Sequence, residues 1–426
     1  MKVQFYTQNQ SGFSKIEKHK SQPMLTPQNN QSSRTNYFGP ANAYSAQISQ
    51  ISFSAALKTN YIKEILEQPK VINNLLDKYF SKPGQVSNMD LGLTKKELKS
   101  MSGIKIIASG SSKNVAEMTR DFIEGVTKIP VDVYYASEFA HKNAVVNKND
   151  LAIFISQSGE TADTFAALKK VNELGLKSIA LTNTPGSKIH ENASASVEVG
   201  AGKELAVAAT KSVTAQLINL YTIGLKLAQI KGTVSPGEIN SFAQELKTIP
   251  TGLEKMLKEN KSVKTIAQNL VDEKNMHILG RGANHGSAME GALKLRETTY
   301  SNPTPSASGE FLHGYIASVD ETTPVIQVIQ GNKGNENYDL TYGNLKEIIK
   351  KRTPAKVVII KNQANKELEA EPLFKNAQFM NIPTISESFS PVYVVSRFQM
   401  LANELTKLQG KNPDKPRSLT KAVLSE

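Results

Sequence analysis

The chain has 426 residues, 39% of them hydrophobic, which is enough for two or three domains with real cores. It contains no cysteine, which excludes disulfides, thiolate metal sites and cysteine nucleophiles within this sequence. The formal charge is +12, but the first sixty residues hold six Lys and Arg against Glu17 alone; the rest of the excess is thinly spread, and no dense basic block argues for nucleic acid.

The beginning lacks the apolar stretch of a secretory signal, and no run reaches the ~18 apolar residues of a membrane span, so no membrane association and a cytoplasmic location are expected. Residues 1–58 are rich in Gln, Asn and Ser without sustained apolar periodicity and are expected to be a disordered polar tail. Helices are expected over 59–100: Ile62, Ile65 and Leu66, then Val71, Ile72, Leu75 and Leu76, fall near helical spacing, and Pro69 between them predicts two amphipathic helices. Over 101–235 the pattern alternates. Strands are predicted at 104–107, 131–134, 151–155 and 178–181, with helices from about Asn114 and Thr161 and a long one from about Val207 to Leu227. Ser235-Pro236-Gly237 reads as the polar turn that closes this unit, followed by a helical connection over 236–272. A second alternating unit is expected over 273–410, with strands at 276–279, 325–328 and 357–360 and a helix from about His285, and then a tail over 411–426. Short apolar strands joined by helices predict an α/β fold of doubly wound parallel sheets.

The two units repeat one another. Glu138-Phe139-Ala140-His141 matches Glu310-Phe311-Leu312-His313, and Gly110 matches Gly282, each pair 172 residues apart. Two landmarks at one offset, each after an equivalent strand, predict a duplication with pseudo-twofold symmetry.

In open parallel sheets, ligands sit beyond the carboxyl ends of strands, where helix N-termini offer unpaired amides to anions. The strand at 151–155 runs into Ser156-Gln157-Ser158-Gly159-Glu160-Thr161 and then a helix. Three hydroxyls around one glycine make a phosphate cradle; a helix N-cap at Ser158 or Thr161 is the plainer alternative. Ser109-Gly110-Ser111-Ser112 after the neighbouring strand favours the cradle. The glycines of Gly280-Arg281-Gly282-Ala283-Asn284-His285-Gly286 have the wrong spacing for a dinucleotide, and no cofactor or metal is expected.

Together with Glu204-Leu205-Ala206-Val207-Ala208-Ala209-Thr210-Lys211, Leu279-Gly280-Arg281-Gly282, Met289 to Glu297, Gly309 to Gly314 and Pro416 to Lys421, these motifs carry a resemblance. The chain resembles the sugar isomerase (SIS) family over about residues 61–426, in particular the isomerase half of the glutamine–fructose-6-phosphate aminotransferases. The resemblance implies two tandem SIS domains and a hexose 6-phosphate or amino-hexose 6-phosphate as ligand. It implies Glu297 as the base that moves a proton between C1 and C2, His313 as the ring-opening group, and Lys421 as a Schiff-base lysine. It also implies Ser111, Ser112, Ser156, Gln157, Ser158, Thr161, Val207, Lys294, Glu290 and Thr420 as substrate contacts, and a homodimer with shared sites. A Schiff-base lysine must lose its proton, so Lys421 is expected near other cations or away from water. Read from the residues alone, Glu297 could instead be a carboxylate paired with Lys294 or Arg296, His313 a structural histidine, and Lys421 a solvated tail residue.

A glutaminase domain with its nucleophilic cysteine is not expected here. The expected activity is therefore interconversion of glucosamine 6-phosphate with fructose 6-phosphate and ammonia. Alternatives are an isomerase subunit served by a separate glutaminase, a fructosamine-phosphate deglycase, or a sugar-phosphate sensor that does not react.

Overall fold

A computed structural model describes residues 59–421; the polar tail expected over 1–58 and the last residues, 422–426, lie outside the described residues. The chain enters on α1 (Asn60–Tyr79), which runs unbroken across Pro69 where two helices were expected. An interior proline removes a backbone donor and costs a helix about 3 kcal/mol. Tyr61, Ile65, Ile72, Leu75, Leu76 and Tyr79 are buried on both sides of Pro69, and that continuous packing outweighs the lost bond.

After α2 (Lys95–Ser100) comes the first alternating unit: β1 (Gly103–Ala108), α3 (Gly110–Thr127), β2 (Val131–Tyr135), α4 (Ala136–His141), β3 (Asp150–Ser156), α5 (Ala162–Glu173), β4 (Lys177–Thr182), α6 (Lys188–Asn192) and β5 (Ala195–Glu198). The long helix α7 (Lys211–Lys231) begins after the 204–210 segment that was expected to be helical from Val207, and it is buried on nearly every face. Ser235 does not close the unit with a turn; it caps α8 (Pro236–Lys247) in a reciprocal capping box with Glu238. The connection continues through α9 (Ile249–Lys258) and α10 (Lys261–Leu270).

The second unit contains β6 (Asn275–Gly280), α11 (Ala283–Thr299), β7 (Asn302–Ala307), 3-10 turns at Glu310–His313 and Tyr315–Ser318, and β8 (Val325–Ile329). It continues with α12 (Glu336–Arg352), β9 (Val357–Asn362), α13 (Glu367–Ala370), a 3-10 turn at Pro372–Phe374, β10 (Gln378–Ile382) and α14 (Pro391–Leu408). Every strand pairing is parallel. The sheets have orders β2-β1-β3-β4-β5 and β7-β6-β8-β9-β10, so each strand of one has its counterpart at the same place in the other. Gly110 and Gly282, the paired landmarks, both have φ +55° directly after the equivalent strands β1 and β6. The fold is thus the expected pair of doubly wound SIS-like α/β units.

α3 packs on both α7 and α11, and α11 packs on α14, so these four helices form the apolar centre. The crossing of α3 and α11 is close at Gly286, where an added Cβ would sit 2.8 Å from Met118 N and 3.1 Å from the Asn114 carbonyl oxygen. Only glycine permits that approach, and it brings one helix start against the other at the carboxyl end of the first sheet.

Candidate active site

β3 is buried along its whole length and stops at Ser156, where the chain turns outward. Ser156 Oγ accepts the Gly159 N–H at 3.0 Å and lies 3.1 Å from Thr161 Oγ1, while Ser158 Oγ accepts the Glu160 N–H at 3.2 Å. Gly159 has φ +69°, and an added Cβ would lie 1.9 Å from Ser187 Oγ, so glycine is required twice over. Behind the loop, Ile189 N–H donates to the Gly159 carbonyl at 3.0 Å, Lys188 N–H donates to Glu160 Oε1 at 2.9 Å, and Asn183 N–H donates to the carbonyl of half-buried Gln157 at 3.2 Å. Thr161 does stand at the N-cap of α5, yet its side chain makes no capping bond; its hydroxyl faces Ser156 instead. The first-turn amides of α5 therefore keep their capacity for an anion.

The neighbouring helix α3 begins at Gly110, earlier than the expected Asn114, and so places Ser111 and Ser112 in its first turn. Its cap residue Ser109 makes no capping bond and lies 3.4 Å, Oγ to Oγ1, from Thr164 on α5. On the other side Asn114 Nδ2 donates to Glu290 Oε2 at 2.9 Å, and the nearby Ser111 hydroxyl favours the charge on the same carboxylate. This first turn thus joins the phosphate-type loop to a cluster of charges on α11.

In that cluster Lys294, 1% exposed, lies between two carboxylates: its Nζ is 2.5 Å from Glu297 Oε2 and 3.5 Å from Glu290 Oε1. Burial opposes the charge on Lys294, but Glu297 and then Glu290 outweigh it and raise its pKa, so it stays an ammonium. Glu290 is wholly buried, and burial raises its pKa against the opposing pull of Lys294, Asn114 and Ser111. The Glu297–Lys294 pairing foreseen as the plainer alternative is present, but it is an interior pair and not a surface one. Arg296, the other candidate partner, turns away to the Pro303 carbonyl at 2.6 Å.

The connection between β5 and α7 supplies the facing wall. Glu204, buried, accepts the Thr210 N–H and hydroxyl at 3.0 Å each, the Ser212 N–H at 3.0 Å and the Ser212 hydroxyl at 2.8 Å. Lys421 Nζ donates to Glu204 Oε2 and to the Ala206 carbonyl, both at 2.6 Å. Burial alone would raise the Glu204 pKa; Lys421 and Ser212 reverse this and hold it below the usual carboxylate range. Lys421 is therefore paired with a buried carboxylate and is not placed among other cations. The tail is tied down further along. Val207 N–H donates to the Asp414 carbonyl at 3.2 Å, Asp414 accepts the Asn60 and Tyr61 N–H groups at 2.8 and 2.7 Å, and Arg417 lies 4.3 Å from the Tyr300 ring centre. Glu64 of α1 accepts the Ala206 N–H at 3.1 Å and shares the Thr210 hydroxyl with Glu204, each at 3.0 Å.

The structure thus brings together Ser111, Glu290, Lys294 and Glu297, and places Lys421 on the wall that Glu204 organises; Val207 is bonded to the same tail, and Thr420 precedes Lys421 along it. Ser156, Gln157, Ser158 and Thr161 form the loop on the other side of Ser111 and Ser112. It does not bring in His313: that residue is exposed on a 3-10 turn, and its ring has no hydrogen bond or ion pair among the described residues, like its repeat partner His141. Sequence reasoning gave no role to Glu64, Asn114 or Glu204. Glu64 carried a readable signal, since it lies on the face of α1 marked by Tyr61, Ile65 and Gln68, all of which are buried. No helix among the described residues is long and apolar enough to cross a membrane.

Residues 97–226 and 269–396 match the SIS domain, one match on each α/β unit. The chain is 36% identical over 377 residues to a glutamine–fructose-6-phosphate aminotransferase of Clostridium acetobutylicum, covering 88% of this chain and 60% of that protein. It spans about three fifths of the length of such relatives. The solved C-terminal domain of glucosamine-fructose-6-phosphate aminotransferase from Francisella tularensis superposes with a TM-score of 0.79 at 30% identity, covering 85% of this chain and 100% of that one. A glucosamine-6-phosphate deaminase from Thermotoga maritima, at 19% identity and a TM-score of 0.62 over 86% of this chain and 99% of that one, shares the fold. With both α/β units matched and the whole Francisella domain covered, the chain belongs to the family of SIS domain proteins.

Proposed function

We propose that the protein is an amino-sugar-phosphate isomerase and deaminase that interconverts glucosamine 6-phosphate with fructose 6-phosphate and ammonia. The observation that carries this reading is one buried cluster in which Glu204 acts on both lysines: it is bonded to Lys421 of the tail, and its charge supports that of Lys294, the partner of Glu297. The first turn of α3 lies between this cluster and the phosphate-type loop, through Asn114 on Glu290 and Ser109 beside Thr164. The names of the aminotransferase relatives support a fructose 6-phosphate framework.

In the deaminating direction the sugar phosphate anchors on Ser156, Ser158, Thr161 and the first turn of α3, with Ser112 and Gln157 beside it. His313 opens the ring. Its exposed, unbonded position suits service to the site of a second copy, hence a homodimer. Glu297, oriented by its contact with Lys294, removes the proton from C2 and returns it to C1, which leaves an imine at C2. Lys421 passes a proton to the imine nitrogen at C2; its free amine then adds at C2 and displaces ammonia by forming its own imine, and water releases fructose 6-phosphate. Reduction with borohydride in the presence of fructose 6-phosphate tests the amine's role. A hexitol-phosphate adduct on Lys421 is expected, and an adduct elsewhere, or none, removes it. Turnover of a fructosamine phosphate without turnover of glucosamine 6-phosphate would reassign the protein as a deglycase.

A further inference from the structure

Tyr61 opens the buried face of α1 and is 0% exposed, yet its hydroxyl has no hydrogen-bond partner. Buried polar groups are almost always paired, so an orphan of this kind asks for a reason. The hydroxyl does not sit among hydrocarbon alone. After burial itself, the groups that most oppose its ionisation are the carboxylates of Glu297, Glu290, Glu204 and Glu64, in that order. One of them is an orphan too. Glu290 Oε1 has no hydrogen-bond partner, its contact with Lys294 being a 3.5 Å ion pair, whereas Oε2 is taken by Asn114. The cluster therefore encloses one unpaired donor and one unpaired acceptor. The backbone that carries the donor is pinned: Tyr61 N–H is held by Asp414 at 2.7 Å, on the same tail that delivers Lys421 to Glu204.

We propose that Tyr61 is a positioning residue of the reaction centre, whose hydroxyl donates to Glu290 Oε1 when the sugar phosphate is bound. The inference rests on the reading of Glu297 as the proton-shuttling base. When Glu297 takes a proton from the sugar, its hold on Lys294 weakens and Glu290 alone must keep the ammonium in place. Glu290 does so only as an anion, and burial already raises its affinity for a proton. Donors from Asn114, Ser111 and Tyr61 keep it ionised. The other charges facing this space are Glu64, Glu204 and Lys421, all of which have backbone or side-chain partners of their own.

Tyr61→Phe tests this, because it keeps the ring and removes a hydroxyl that has no hydrogen-bond partner in the structure, so the variant should denature no earlier than wild type. The expected result is a fall in kcat of about tenfold, the worth of roughly one hydrogen bond in the transition state, with KM changed by less than about threefold. The acidic limb of kcat against pH should move upward, and calorimetry of fructose 6-phosphate binding in buffers of different ionisation enthalpy should show more proton uptake than wild type. Unchanged kcat, acidic limb and proton uptake would overturn the proposal, and so would a rise in KM alone, which would place the hydroxyl on the sugar. If wild type binds fructose 6-phosphate without turnover, the functional reading fails while the difference in proton uptake still decides the role of Tyr61. A wild type that neither binds nor turns over sinks both.

Discussion

Replacing Glu204 by Gln should loosen the C-terminal tail from the site without unfolding the protein around it. Five donors converge on this carboxylate: the N–H and hydroxyl of Thr210, the N–H and hydroxyl of Ser212, and Lys421 Nζ. In the amide, Oε1 still accepts from Thr210 and the Ser212 N–H, and the Ser212 hydroxyl can reverse and accept. Lys421 alone meets a donor where it had an anion. The loss is one charge-assisted hydrogen bond, worth about 1.5–3 kcal/mol, or roughly 10- to 100-fold in the open-to-closed ratio of the tail. Arg417, exposed but held on Tyr300 by its N–H at 3.0 Å, is the trypsin site that reports opening. When opening is fast, cleavage follows the open population, so the variant should be cut after Arg417 at least about tenfold faster. The same contact has a pH signature. The Glu204 pKa is depressed in the folded state, so its contribution is intact above the ordinary carboxyl range and is lost as pH falls through the lower folded value. Hydrogen exchange of the tail amides should therefore differ between wild type and variant at neutral pH and converge as pH falls through that lower value. Equal cleavage rates at neutral pH would refute the reasoning, because they would mean that Lys421 is not held by this carboxylate.

Three further outcomes follow from the same contacts. Lys294→Met leaves Glu290 and Glu297 without their shared cation in a buried site and should cost about 3–5 kcal/mol in urea denaturation; adding Glu290→Gln should recover part of that loss, and a single-variant cost under about 1 kcal/mol would count against a buried triad. Gly159→Ala forces a side chain into φ +69° and against Ser187 Oγ at 1.9 Å, so equilibrium binding of fructose 6-phosphate should be lost while the β3 core keeps its near-native circular dichroism. Ser158→Ala should raise KM by about tenfold with kcat within about threefold, since it removes the proposed phosphate contact; the opposite split in steady-state kinetics would move Ser158 from anchoring to chemistry.

The sequence made most of the fold legible through its central strands. Residues 104–107, 151–155, 276–279, 325–328 and 357–360 are mostly apolar because they lie in strands packed within the sheets, and all were found. The strands that escaped, β5, β7 and β10, each lie at a sheet edge, where pairing on one side suffices and apolar runs are not needed. β7 even carries Pro303 and Pro305, which an edge strand tolerates because proline has no N–H to offer a second neighbour. α1 was split at Pro69 because local propensity cannot see the tertiary packing that carries a helix through a proline.

The site divided in a similar way. Its local part, the loop from Ser156 to Thr161 after a strand, follows from the order of residues along the chain. The grouping of Lys294 with Glu290 and Glu297 follows from helical spacing. What could not be read was long-range: Asn114 meets Glu290 only because Gly286 lets two helices touch, and Lys421 meets Glu204 only because the tail returns across α1. The carboxylate partner of Lys421 depended on that return, so reasoning along the chain alone did not find it.

The measurement that bears most directly on the proposed activity is an end-point assay of wild type and Glu297→Gln with glucosamine 6-phosphate, reading ammonia and fructose 6-phosphate separately. The account predicts equal amounts of both products from wild type, and a loss of at least about a hundredfold in Glu297→Gln with sugar-phosphate affinity nearly unchanged. Binding without either product in wild type, or full turnover in Glu297→Gln, would contradict it.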